Sequence, residues 1–118
     1  MADKKTFEIK DNVSITDEVV AVVAGLAATE VDGVDALNGN IKNADIARTG
    51  QGKLSKGVRI KSKGENSISV KLALIIRYGF EIPTICGKVQ DKVKSAIENM
   101  TGLLVDAVDI QISTVVMD

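Results

Sequence analysis

Few side chains in this sequence are equipped for chemistry. There is one cysteine, Cys86, and no histidine or tryptophan. A thiol near a helix N-terminus can be made reactive by the helix dipole. Cys86, however, follows Ile85 on a helical segment with a largely apolar face, where cysteine serves as a small hydrophobe. Asp91 and Glu98 lie two helical turns apart with Lys88, Lys92 and Lys94 interspersed. That pattern reads as a solvated, salt-bridged helix face, because no nucleophile, base or oxyanion donor accompanies the carboxylates. Gly50-Gln51-Gly52-Lys53 resembles a phosphate-cradling loop only in composition. It lacks P-loop spacing and the Gly-x-x-Gly of a KH-type RNA clamp, so it reads as flexible linker. No catalytic, metal or cofactor site is expected.

What remains is capacity for binding. Lys42, Arg48, Lys53 and Lys56 make the segment 38–56 the most basic of the chain. They are candidates for docking an acidic partner or phospholipid head groups. Lys71 and Arg77 flank Ile75 on one face of a long strand-like segment. An apolar residue framed by charges suits a modest interaction surface, and equally an ordinary half-covered sheet.

The elements that must hold these groups follow from periodicity. Thr6 to Lys10 reads as a short strand with Phe7 and Ile9 on one face. Thr16 is a suitable helix N-cap, followed by Asp17 and Glu18 at the positive end of the dipole, with Ile15 and Val20 placed as a hydrophobic staple. Val19, Val22, Val23, Leu26 and Ala27 form an apolar stripe, and Gly33 is expected to end that helix. Residues 38–56 are long for a bare connection and are expected to be polar and flexible, with room for a short turn near 44–47. Gly57 to Lys61 is a strand, 63–66 a turn, and Ser67 to Tyr78 a long strand. Ile68, Val70, Leu72, Leu74 and Ile76 share one face of it. Pro83 opens a second helix, lined by Ile85, Val89, Val93, Ala96, Ile97 and Met100, which stops at Gly102. Leu104 to Val115 closes the chain as a strand with few charges and no proline to protect its edge. The expected order is β-α-β-β-α-β: an α+β two-layer sandwich with a small mixed sheet and two helices.

At 118 residues, the chain (1–118) reads as one domain. Fifteen basic and sixteen acidic residues nearly cancel, and Phe7, Tyr78 and Phe80 are the only aromatic residues. This balance argues against a nucleic-acid binder built on phosphate contacts and base stacking, and against an acidic solvating protein. The N-terminus MADKKTFEIK carries no secretory h-region, and apolar runs such as Leu72 to Ile76 are far too short to span a membrane. A lone thiol suits a reducing compartment, so a cytoplasmic location is expected.

The residues also carry a resemblance. Asp17-Glu18-Val19-Val20, Ala24-Gly25-Leu26-Ala27-Ala28 and Val31-Asp32-Gly33-Val34 are followed by Lys56-Gly57-Val58, Tyr78-Gly79 and Ile82-Pro83. Val89-Gln90, Val93, Thr101-Gly102-Leu103, Val105 and Val108-Asp109-Ile110 complete the set. In this order and spacing the chain resembles the alkaline shock protein, or envelope stress response, family, in its compact form. Two positions depart from it: Thr114, where many members have glycine, and Cys86, where alanine is more usual. The resemblance implies a non-enzymatic cytoplasmic protein of cell-envelope homeostasis. It also implies self-association and docking to a protein partner, membrane-anchored or otherwise, at the inner membrane face. The alternative it raises is a regulator of lipid or fatty-acid synthesis contacting an acetyl-CoA carboxylase component.

Overall fold

The computed structural model describes residues 6–10 and 13–117. The first five residues, part of the stretch read for a secretory signal, lie outside that range. The elements run β1 (Thr6–Lys10), β2 (Val13–Thr16), α1 (Asp17–Thr29), β3 (Val34–Leu37), a 3₁₀ turn (Asn43–Arg48), α2 (Gln51–Leu54), β4 (Val58–Ser62), β5 (Ser67–Arg77), α3 (Ile82–Thr101) and β6 (Leu104–Val116). The α+β class and the mixed sheet stand as expected. Two short strands and two short helical pieces are added to the β-α-β-β-α-β order.

The long strand β5 organises the sheet. It pairs in parallel with β6 from Ser67↔Leu104 to Arg77↔Val116. It pairs antiparallel with β4 through Val58↔Leu72 to Ser62↔Ile68, and with β3 through Val34↔Ile76 to Leu37↔Leu74. A strand has two edges, so β3 and β4 lie end to end along one edge of β5 while β6 occupies the other. β1 and β2 form a separate antiparallel hairpin, with Phe7 buried in the core.

Alternation places Ile68, Val70, Leu72, Leu74 and Ile76 on one face of β5, all but fully buried. Helices α1 and α3 cover that face. In α3 the buried residues are Ile85, Val89, Val93, Ile97 and Thr101, a row spaced by four. Pro83 sits in its first turn, and Gly102 ends it in the left-handed conformation at φ 76°. Met100, expected on the buried face, is 68% exposed. It follows the row by three residues from Ile97, at the end of the helix where the cover stops.

In α1, Thr16 caps as expected, its hydroxyl accepting from the Val19 amide at 3.4 Å. The buried face is Val20, Val23, Ala24 and Ala27, with Ala21, Gly25 and Ala28, whereas Val19 is exposed and Val22 and Leu26 are half-buried. The expected stripe is thus rotated: of Val19, Val22, Val23, Leu26 and Ala27 only Val23 and Ala27 are buried, because apolar residues surround this helix and periodicity alone picks out more than one face. The small residues decide which is buried, because they allow close approach: a Cβ on Gly25 would lie 3.2 Å from Leu37 Cδ1.

Gly33 does not end α1. The helix stops at Thr29, with Glu30 still right-handed, and Gly33 instead makes the turn into β3 at φ 97°. A Cβ there would meet Ile85 Cδ1 at 2.6 Å and the Phe80 ring at 2.8 Å. Its carbonyl accepts from the Arg77 amide at 2.8 Å. The segment 38–56 is likewise not a bare flexible connection. It carries the 3₁₀ turn and α2, and it buries Ile46 and Leu54.

Ile97→Ala should destabilise the fold by about 2–4 kcal/mol in denaturant unfolding, as expected for a large buried aliphatic. Met100→Ala should stay within about 0.5 kcal/mol of the parent. Gly33→Ala should cost about 2 kcal/mol, from its positive φ and the absence of room for a methyl.

Candidate interaction surface

With both long helices on one side, the second face of the sheet carries the side chains left over by alternation. Register places Lys71 of β5 directly opposite Arg59 of β4 on one side and Asp109 of β6 on the other. Ser69 lies between Lys61 and Ala107 in the next row of this face. A groove of about 310 Å³ is lined by Lys56, Arg59, Lys71, Gln111 and Ser113, among others. It adjoins a second, of about 430 Å³, lined by Arg59, Lys61, Lys63, Ser69, Lys71 and Asp109. Among the described residues, no ion pair engages Lys56, Arg59, Lys61, Lys63 or Lys71.

Of the cations singled out in the sequence, Lys56 and Lys71 are brought together here. The others are placed differently. Lys42 Nζ lies 2.6 Å from Asp35 Oδ2, and Arg77 Nε lies 3.4 Å from Asp35 Oδ1, so one carboxylate at the β3 edge engages both. Ile75, paired with Ala36, is buried beside that cluster rather than standing out as an apolar feature. Arg48 is paired with Asp45 of its own 3₁₀ turn, and Lys53 is exposed on α2; neither lines the grooves. Arg59, Lys61 and Lys63 were overlooked in the sequence. Their signal was legible, since Arg-x-Lys-x-Lys puts three cations on one side of an extended strand.

The residues that first suggested chemistry have structural roles. Cys86 is half-buried on α3, and burial pushes its thiol pKa up, away from a reactive thiolate. The carboxylates are not part of a salt-bridged ladder along α3. Lys92 Nζ reaches across to Glu30 Oε1 of α1 at 3.2 Å, and Glu98 Oε2 accepts from the Val105 amide at 2.9 Å, tying α3 to the start of β6. Gly50 is the N-cap of α2, so Gly50-Gln51-Gly52-Lys53 is a helix start rather than a linker or an anion loop.

The outer edge of β6 differs along its length. Glu98 engages the Val105 amide, and Gln90 Nε2 donates to the Val108 carbonyl at 3.0 Å. From Ile110 to Met117 the sequence holds no charge, glycine or proline. Among the described residues no strand pairs with the outer edge of that segment, and no side chain is hydrogen-bonded to its backbone. Ile110 and Ile112 are half-buried, and Val115 and Met117 are exposed.

The sequence profile of the alkaline shock protein family, described by a cell envelope-related function, matches residues 5–117. The chain belongs to the alkaline shock protein family. A similar relative is the uncharacterised Bacillus subtilis protein YqhY, 32% identical over 106 residues, covering 90% of this chain and 78% of the relative. A second B. subtilis protein, YloU, is 32% identical over 105 residues, covering 87% of each. A Streptococcus pyogenes stress response regulator gls24 homolog is 26% identical over 108 residues, covering 91% of this chain and 60% of the relative. Among solved structures, the MamM CTD matches 83% of this chain and 96% of its own, with a TM-score of 0.51 at 12% identity. That last likeness concerns the fold alone. The family assignment agrees with the resemblance carried by the sequence motifs and associates the chain with the cell envelope and stress response. No helix among the described residues is long and apolar enough to cross a membrane.

In this alkaline-shock-family chain the Lys42 ammonium, hydrogen-bonded to Asp35, holds its carboxyl below the ordinary 3.8, with Arg77 adding to the effect against the opposing influence of burial. A carboxylate depressed in the folded state contributes stability that is present above its unfolded pKa and is lost as pH falls through the folded one. Asp35→Asn should therefore lower unfolding free energy by about 1 kcal/mol at neutral pH, since both cations are half-exposed. The difference from the parent should shrink as pH falls below about 4 and be lost as pH passes through the depressed folded-state pKa, as read in urea titrations.

Proposed function

We propose that this chain is a non-catalytic interaction module of cell-envelope homeostasis, self-associating through the outer edge of β6 and docking a protein partner at the cytoplasmic face of the membrane. The observation that carries this reading is the contrast along β6. Its first half is engaged by Glu98 and Gln90, while 110–117 is an uncharged, β-prone edge without partners among the described residues. Such an edge is a template for another strand. Natural edges usually carry a lysine, a proline or a covering segment, and bulges also blunt them. Among the described residues, the bulge between Leu74 and Ile75 is the only such device along 110–117.

A second copy suits this edge. Its own 110–117 offers the same row of donors and acceptors, and an antiparallel pair of identical strands is self-complementary. The half-buried Ile110 and Ile112 and the exposed Val115 continue the helix-side apolar layer to the edge. A neighbouring copy would extend that layer. The family's cell envelope-related description supplies the cellular setting.

Sedimentation of the full chain should show concentration-dependent association. Gln111→Lys with Thr114→Lys should return it to monomer while changing stability by no more than about 0.5 kcal/mol, because both side chains are exposed. A parent that stays monomeric at high concentration would remove self-association from this reading.

A further inference from the structure

We infer that the uncovered sheet face is a binding surface for anionic phospholipid head groups, engaged directly by this chain. The formal net charge of the chain is −1, yet Lys56, Arg59, Lys61, Lys63 and Lys71 line two adjoining grooves against the single acid Asp109. The grooves share Arg59 and Lys71, so they form one continuous basic surface. Outside this face, Lys42 and Arg77 pair with Asp35, Arg48 with Asp45 and Lys92 with Glu30, while Lys53, Lys88 and Lys94 stand singly on helices without an ion pair among the described residues.

Within the face, Arg59 stands directly opposite Lys71 in the antiparallel register of β4 and β5. Like charges in that position repel and weaken the strand pair. Asp109 offsets Lys71 from the other side, but no acid lies in register with Arg59 or Lys61, whose partners are Lys71 and Ser69. An anionic ligand spread over the face would relieve the repulsion.

The form of the surface selects among anions. Nucleic-acid grooves combine phosphate contacts with aromatic stacking. No aromatic residue lines either groove; Tyr78 and Phe80 lie beyond the end of β5. A broad face with dispersed lysines and one arginine suits a field of mobile negative head groups, which requires no fixed spacing. The cell envelope-related description of the family is consistent with a membrane setting. The inference does not depend on β6 pairing, since one copy carries the whole face.

The test is co-sedimentation of the full chain with phosphatidylcholine vesicles, with and without phosphatidylglycerol, across a salt series. Binding is expected only with phosphatidylglycerol, falling steeply as salt rises. Arg59→Gln/Lys61→Gln/Lys71→Gln should weaken it on the order of a hundredfold, from roughly 1 kcal/mol per basic residue at an anionic surface. That variant should keep or raise the melting temperature, because the Arg59–Lys71 repulsion is gone. Lys88→Gln/Lys94→Gln on α3 should bind as the parent does. Inorganic phosphate should displace the protein no more than sodium chloride does at the same ionic strength. Four results would overturn the inference: no binding to phosphatidylglycerol vesicles at low salt, equal loss in the α3 variant, stronger displacement by inorganic phosphate than by chloride at equal ionic strength, or tighter binding to single-stranded RNA or polyglutamate than to the vesicles.

Discussion

The register of β5 is the constraint on which the rest of the structure depends. Its five buried side chains, Ile68 through Ile76 at alternate positions, each contribute about 1.5–3 kcal/mol of burial. A slip of one residue would exchange them for Ser69, Lys71, Ala73, Ile75 and Arg77, placing two cations under the helices. The strand therefore has one usable register. Because β3, β4 and β6 all pair with it, that register fixes theirs, and with it the faces they present.

Two asymmetries follow. The long helices cover one sheet face, so the second carries the polar residues of β4, β5 and β6 without being needed for the core. The edges of β5 are unequal as well. One is shared by β3 and β4, whereas the other takes a single strand of thirteen residues, β6, whose own outer side faces no strand among the described residues. Substitutions of exposed side chains on the uncovered face or along the β6 edge come at little cost to folding. The two features are also geometrically compatible. An antiparallel pair of identical edge strands has its two-fold axis perpendicular to the sheet, which keeps like faces on one side.

Strong local signals were legible in the chain. Thr16 announced α1, Pro83 and Gly102 bracketed α3, and strict alternation marked β5 and β6. Weak ones misled where two physical readings produce the same pattern. Gly33 looks like a helix terminator, but a glycine is equally required where Phe80 and Ile85 close on the backbone. Residues 38–56 look like linker because their anchors, Ile46 and Leu54, are isolated apolar residues among polar ones. Short strands such as β2 and β3, four residues each, fall below the length at which alternation can be told from chance.

The candidate surface divides in the same way. Sequence alone determined that this is an α+β chain without an evident catalytic constellation, with β5 as a half-buried strand and with cations to spare between Lys42 and Lys71. Tertiary structure decided which of those cations remain available. Pairing is a matter of distances between residues remote in the chain: Arg77 reaches Asp35 across 42 positions, and Lys92 reaches Glu30 from another helix. Lys56, Arg59, Lys61, Lys63 and Lys71 become one surface because a hairpin folds β4 back onto β5, bringing like charges into register where no linear pattern shows them together.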